Sequence, residues 1–265
     1  MDIIGQTKVL SQIDTYYTTQ HLPKTLMFLG PSGCGKGTLA KYVAEKFNLD
    51  FVKIEESVSA QDLEDYLHST IDTLYLINLS NFTEKQQNIF LKFIEEPSKS
   101  VYVVLIANSE AGVLSTILNR CIKLQFEPYS KEEIELIINQ PVNELAFKIF
   151  QTPGKLLNLT DSALADLIRV GTEVVSQMSL KSYGQAMSIS TKINYKDLYS
   201  KIDFSLFFDV VAYLALEDFK TTGNMKSFDT FIITNKFKQY VSHPGLIKEA
   251  LMLNYLTTLW EAVRV

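Results

Sequence analysis

Cysteine is scarce in this chain of 265 residues: there are two, Cys34 and Cys121. Two isolated thiols give neither a metal-ligand spacing nor a disulfide framework, so both read as cytosolic thiols and a cytoplasmic protein is expected. Arginine is scarcer than lysine, with only Arg120, Arg169 and Arg264 present. The net charge of −5 argues against binding nucleic acid over the whole surface, while leaving room for a local basic patch. No run of about 18 apolar residues occurs, so no membrane span is expected. The start, Met1-Asp2-Ile3-Ile4-Gly5, lacks a basic segment followed by an apolar stretch, and no signal peptide is expected. Internal repeats and low-complexity segments are also missing.

What is present centres on one stretch, Leu26-Met27-Phe28-Leu29-Gly30-Pro31-Ser32-Gly33-Cys34-Gly35-Lys36-Gly37-Thr38. Four apolar residues predict a buried strand, a glycine-rich turn follows, and a helix is expected from about Gly37 to Phe47. Strand, loop and helix in that order are the setting of a phosphate-binding loop. Glycines let backbone N–H groups close around phosphate oxygens. The helix N-terminus adds partial positive charge, and Lys36 adds a full one. Residues Gly30 to Thr38 are thus the candidate nucleotide-binding set. The usual pattern is G-x-x-x-x-G-K-S/T, with the last hydroxyl on Mg²⁺. Here Gly37 takes that place and Thr38 comes one residue late.

Further apolar runs predict strands at 50–54, 73–77, 101–107 and 121–126, with helices between them. Helices are expected from Ser59 to His68, from Thr83 to Phe93 and from Leu114 to Leu118. Ser59 serves as a cap and Asp62 stands three residues on. Strands alternating with helices imply a parallel sheet covered on both faces. From Lys131 the pattern turns helical. Helices are expected at 131–139, 142–150, 162–179, 183–192, 205–222, 227–241 and 246–265. Asp161 and Ser205 read as caps, and Gly223 and Pro244 as breaks. The expected domains are an α/β domain at 1–128, a short helical lid at 129–160 and an all-helical domain at 161–265.

In a P-loop ATPase a second apolar strand ends in Asp, often Asp-Glu. The Asp holds the Mg²⁺ shell and the Glu polarises the attacking water. The matching strand here, Leu74-Tyr75-Leu76-Ile77, ends in Asn78-Leu79. Asn78 carries no charge for a metal and Leu79 cannot act as a base. With Gly37 at the hydroxyl position, two independent parts of hydrolysis chemistry are absent.

Several motifs together resemble the AAA+ clamp-loader subunits, and within them the delta-prime branch of DNA polymerase III. Asn88-Ile89-Phe90-Leu91-Lys92-Phe93-Ile94-Glu95-Glu96-Pro97 is similar to that family's helix ending in Leu-Glu-Glu-Pro. Leu105-Ile106-Ala107-Asn108 is similar to the strand that ends in the sensor-1 polar residue. Leu118-Asn119-Arg120-Cys121 is similar to its Ser-Arg-Cys motif, with Asn119 in place of serine. Ile3-Ile4-Gly5-Gln6 resembles the adenine-proximal start, and 246–259 the last collar helix. The resemblance implies an AAA+ fold with a helical lid and an oligomerising collar. It implies ATP or ADP as ligand and leaves Mg²⁺ open. With no cysteine between Cys34 and Cys121, no zinc module is expected.

The family's sensor-2 arginine falls at Gly154 here, followed by Lys155, which points to the delta-prime branch. The implied function is that of a non-motor subunit of a hetero-pentameric clamp loader. It would help load a sliding clamp onto primed DNA, without sequence preference. Asn108 would stand at sensor 1, and Arg120 would reach a neighbour's ATP as a trans arginine finger. The bland alternative for Arg120 is a surface ion pair. Two other functions stay open: a weakly active AAA+ motor in which Thr38 takes the Mg²⁺ role, and a nucleoside monophosphate kinase-like enzyme. The kinase reading suffers from the lack of arginines near the loop.

Overall fold

The computed structural model describes residues 3–54, 58–157, 159–177, 183–184, 204–241 and 247–264. The five apolar runs are strands: β1 (Thr25–Leu29), β2 (Asp50–Ile54), β3 (Thr73–Asn78), β4 (Val101–Ala107) and β5 (Ile122–Gln125). They form one sheet in the order β2-β3-β4-β1-β5, and every pairing is parallel. The interior strand β1 is buried at every position, whereas the edge strands β2 and β5 are partly exposed. Continuous apolar character is what a strand covered on both faces requires.

The chain divides into two compact units, Met1–Val142 with Thr152–Gly154, and Asn143–Gln151 with Lys155–Val265. The first unit adds to the sheet the helices α1 (Thr7–Thr18), α2 (Lys36–Lys46), α3 (Ala60–Leu67), α4 (Glu84–Gln87), α5 (Phe90–Glu95), α6 (Ser115–Leu118) and α7 (Lys131–Ile138). Tyr75, Ile77, Val103 and Leu105 share one core with Leu63, Phe90, Phe93 and Ile94 from α3 and α5. Helix α2 packs against β2, β3 and β4. Ser59 and Asp62 form the expected capping box: Ser59 Oγ accepts from the Asp62 N–H, and the Ser59 N–H donates to Asp62.

The helix expected over 83–93 is instead two short ones, α4 and α5. Asn88 is the reason. Its side-chain amide donates to the carbonyls of Glu84 and Lys85 at 3.2 and 3.3 Å. Those are the acceptors a continuing helix would use, and the chain tightens there, with Ile89 N–H bonded to Gln86 O. The apolar face survives the break, because Phe90 and Phe93 are fully buried.

The described helices of the second unit include α8 (Glu144–Phe150), α10 (Asp161–Gln177), α11 (Phe204–Thr222), α12 (Met225–Lys238) and α13 (Lys248–Val263). Helix α8 starts two residues later than expected, because Asn143 Oδ1 accepts from Leu145 N–H at 2.8 Å and so caps it. The Thr160 hydroxyl, not Asp161, accepts from Ala163 N–H at the head of α10. Ser205 lies inside α11 rather than before it. The Thr-Pro-Gly break contains one helical turn, α9 (Pro153–Leu156), whose first residue is a proline that needs no N–H partner. Gly223, at φ 70, ends α11 as expected. The helix expected from Tyr183 to Lys192, and Pro244, fall largely or wholly outside the described residues.

Phe207 and Phe208 on α11 pack with Tyr255 of α13, whose hydroxyl pairs with Thr234 at 2.9 Å, and Phe204 packs on both phenylalanines. Tyr213, Phe219 and Phe231 are only half-buried. Asp209 is buried on α11 between two lysines: Lys155 Nζ lies 2.5 Å from Oδ2, and Lys238 pairs with Oδ1. Among the described residues no helix is long and apolar enough to cross a membrane.

Candidate functional site

Parallel pairing brings the carboxyl ends of β1, β3 and β4 to one edge of the sheet. Leu29 pairs with Ala107, and Asn78 with Ile106. The loop that follows Leu29, Asn78 at the end of β3 and Asn108 just after β4 therefore meet, although they are far apart in sequence. Ligands of open parallel sheets bind outside such carboxyl ends.

The loop is shaped by its glycines. Gly33 and Gly35 hold φ of 82 and 90, a left-handed backbone that other residues seldom adopt. Helix α2 starts directly after Gly35, so its free N–H groups face the loop. Cys34 turns inward. Its side chain is buried, and its carbonyl accepts from Tyr129 Oη at 2.9 Å. Burial pushes its thiol up, with Lys36 partly opposing.

Lys36 is buried as well. Its ammonium donates to the carbonyls of Gly30 at 2.5 Å and Pro31 at 2.8 Å, and lies 3.8 Å from Cys34 Sγ. Burial depresses it below the ordinary lysine range. A buried cation bonded to carbonyls and a thiol, with no carboxylate, is suited to an arriving anion.

A cavity of about 320 Å³ opens here, of the size of small-ligand sites. Ser32, Gly33, Gly35, Lys36, Gly37 and Thr38 line it from the loop, Asn78 and Asn108 from the strand ends, with Ile106 and Gly154 completing the wall. Gly30, Pro31 and Cys34 belong to the loop but not to the lining. Leu79 is 1% exposed and lies in the core with Phe82 and Phe90.

The usual Mg²⁺ donors are absent from their two positions, and the hydroxyls of the lining are those of Ser32 and Thr38. Gly37 offers no hydroxyl. Asn78 Oδ1 accepts from Ser80 N–H at 3.2 Å, and its Nδ2 donates to Asn81 at 3.1 Å. No carboxylate lines the cavity among the described residues. Nor is any cluster of three or more His, Cys, Asp or Glu there placed to hold a metal ion.

Arg120 lies elsewhere. It follows α6 and does not line the cavity. Its Nη1 donates to Thr116 O at 2.7 Å, and its Nη2 pairs with Glu95 of α5. The side chain is 38% exposed.

Sequence reasoning missed three supports. Thr152 Oγ1 donates to Ser32 O at 3.1 Å and Gly154 N–H to Gly33 O at 2.9 Å, so the segment 152–154 is strapped to the loop. A Cβ on Gly154 would stand 2.8 Å from Gly33 Cα and O, so only glycine fits. Gln6 exchanges two 2.8 Å bonds with the backbone of Glu127, fixing the chain start. Gln87 is buried and donates to Phe82 O and Gly112 O while accepting from Leu114 N–H. Gln87 stands among polar residues, Thr83-Glu84-Lys85-Gln86 before it and Asn88 after, so nothing local in the sequence marks it.

Over residues 68–130 the chain matches the family described as DNA polymerase III, delta subunit. That stretch holds Gln87, Glu95, Asn108 and Arg120 but not the phosphate loop. The chain is 35% identical over 92 residues to DNA polymerase III subunit delta' of Bacillus subtilis, covering 34% of this chain and 26% of that one. It is 24% identical over 216 residues to DNA polymerase III subunit gamma of Buchnera aphidicola, covering 66% and 57%. Among solved structures, a point mutant of Thermotoga maritima RuvB superposes with TM-score 0.55 at 15% identity, covering 78% of this chain and 88% of that one, which shows the fold alone. The chain spans less than two thirds of the length of these curated relatives.

Proposed function

The chain is an AAA+ clamp-loader-like protein, and from that premise we propose that it serves as a non-motor subunit of a DNA polymerase clamp loader. It binds the phosphates of ATP or ADP in the loop Gly30 to Thr38 and does not hydrolyse them. Its partners are the other subunits of a hetero-pentamer, a sliding clamp and primed DNA, the last met through backbone and lysine contacts without sequence preference. Residues 161–265 form the helical oligomerisation domain, following a lid at 129–160.

One observation carries this reading. The cavity gathers the phosphate loop, Asn78 and Asn108, and no carboxylate lines it among the described residues. Backbone N–H groups, the start of α2 and Lys36 hold phosphate and offset its charge. Asn108 donates to it from the sensor-1 position. Water activation needs a base, and the residue at that place, Leu79, is buried and apolar. What the subunit supplies to catalysis is Arg120, which acts in trans. Its half-exposed guanidinium exchanges Glu95 for the phosphoryl oxygens of a neighbour's ATP and spreads their charge in the transition state.

The test is Arg120→Ala in the assembled clamp loader. Folding and assembly should be intact, measured by thermal unfolding and gel filtration. ATP turnover at the neighbouring site should fall by a factor on the order of 10³, the lower end for arginine fingers supplied in trans. Unchanged turnover in the intact assembly would remove the trans role.

A further inference from the structure

The cavity's charge inventory has a consequence for its ligand. Among the described residues that line it, Lys36 alone carries a formal charge. Mg²⁺ bound with a nucleotide normally takes one or two protein carboxylates besides the phosphates. Both protein positions are blank here, for different reasons. At Gly37 there is room: an added Cβ would meet only Leu76 Cδ2, at 3.9 Å, an ordinary contact. A Cβ would be tolerated there, and the chain carries no hydroxyl at that position. At Asn78 the amide is already engaged, its oxygen with Ser80 N–H and its nitrogen with Asn81. A neutral amide turned to its own turn is a poor metal ligand and repels no phosphate.

We propose that this site takes its nucleotide as a metal-free anion, and the diphosphate in preference to the triphosphate. The proposal rests on the nucleotide-binding reading above. A loop of backbone N–H groups, a helix start and one lysine make a cradle for about one phosphate group and its neighbour. In an ordinary P-loop site the metal offsets the extra charge of the γ-phosphate. Here, among the described residues, no second cation lines the cavity to do so. Lys36, bonded to Gly30 and Pro31 carbonyls, swings to the phosphate and gains the anionic partner it lacks in the free chain. Asn108 donates N–H to phosphate oxygens, and the neutral Asn78 spares them the repulsion that a carboxylate at position 78 would exert.

The experiment is calorimetric titration of the full chain with ADP and with ATP, each in excess Mg²⁺ and in excess EDTA. ADP affinity should change by less than about twofold between the two buffers, and in EDTA ADP should bind roughly tenfold tighter than ATP. Mg²⁺ tightening either nucleotide by about tenfold or more, or ATP binding tighter in EDTA, would overturn the proposal while leaving nucleotide binding in place. No binding of ADP, ATP or pyrophosphate in any buffer would overturn both readings together. The double variant Gly37→Thr, Asn78→Asp supplies the missing donors and should become Mg²⁺-dependent. The single variant Asn78→Asp should weaken ADP in EDTA and recover it in Mg²⁺. A folded variant of either kind that stays indifferent to Mg²⁺ counts against the assignment of these positions.

Discussion

Replacing Gly154 by alanine probes the strap on the phosphate loop. A Cβ at residue 154 would lie 2.8 Å from Cα and O of Gly33. Carbon–carbon contacts settle at about 3.5–4.0 Å, so the two backbones must part by about 0.7 Å. The 2.9 Å bond from Gly154 N–H to Gly33 O then opens to about 3.6 Å, outside hydrogen-bond range. The bond from Thr152 to Ser32, two residues away on the same segment, goes with it. Two such bonds are worth about 1–3 kcal/mol together. The better helix propensity of alanine offsets at most about 1 kcal/mol. The remainder falls on the loop that holds phosphate. At about 1.4 kcal/mol per tenfold, the central remainder of about 1 kcal/mol should weaken ADP binding roughly fivefold in Gly154→Ala, and by more in Gly154→Arg. The assay is displacement of a fluorescent ADP analogue, with circular dichroism to confirm folding. Binding within twofold of the parent would refute the strap. Gly37→Ala is the contrast. It sits inside α2 with open space, so it should fold normally and raise Tm by about 2–4 °C.

Three further outcomes are expected. Asp209→Asn leaves Lys155 and Lys238 without their buried carboxylate and should cost about 3 kcal/mol in urea unfolding; a loss below about 1 kcal/mol would mean the ion pairs are incidental. Lys36 gives a pH dependence. Its folded value is depressed by burial, so the folded chain holds that proton less well than the unfolded chain. The charged form costs stability at low pH, and that cost is relieved as the pH rises from the folded value to the unfolded one. Phosphate favours the ammonium instead, so ADP affinity should decline as the pH rises through the folded value, starting below the range of free lysine. Lys36→Met should abolish that limb and lose about 10- to 100-fold in affinity; a pH-independent parent would exclude contact between Lys36 and phosphate. Glu95→Gln, which removes an exposed ion pair to Arg120, should change stability by no more than about 1 kcal/mol, measured by urea titration; a larger loss would make the pair a structural anchor rather than a releasable hold.

Much of the first unit was legible in the sequence. Apolar runs such as Val101–Ala107 report strands because a strand covered on both faces needs no polar alternation. The phosphate loop was legible because its glycines and Lys36 are adjacent in the chain. Ser59 and Asp62 announced a cap because their spacing is local. Contacts made at a distance were not legible. Nothing in Thr152-Pro153-Gly154 says that Ser32 and Gly33 lie against it, and the stretch reads only as a break. Asn88 broke a helix through its own side chain, a competition that apolar periodicity does not register. The same blindness moved the cap of α10 from Asp161 to Thr160 and the start of α8 to Glu144, since either residue type suits a cap and only the backbone geometry selects one. The surface ion pair open to Arg120 is present with Glu95 and half-exposed, while the trans role proposed for it calls on a neighbouring chain that its own sequence does not describe.

The most direct measurement is release of inorganic phosphate from ATP by the isolated chain in Mg²⁺, on a sample whose nucleotide binding has been titrated in parallel. Binding with no turnover above the buffer rate is expected, because Gly37, Asn78 and Leu79 supply neither the metal ligands nor the base. Turnover near about 1 s⁻¹, within the ordinary range of enzymes, would contradict this and hand the missing roles to Thr38 and to a base outside the described lining.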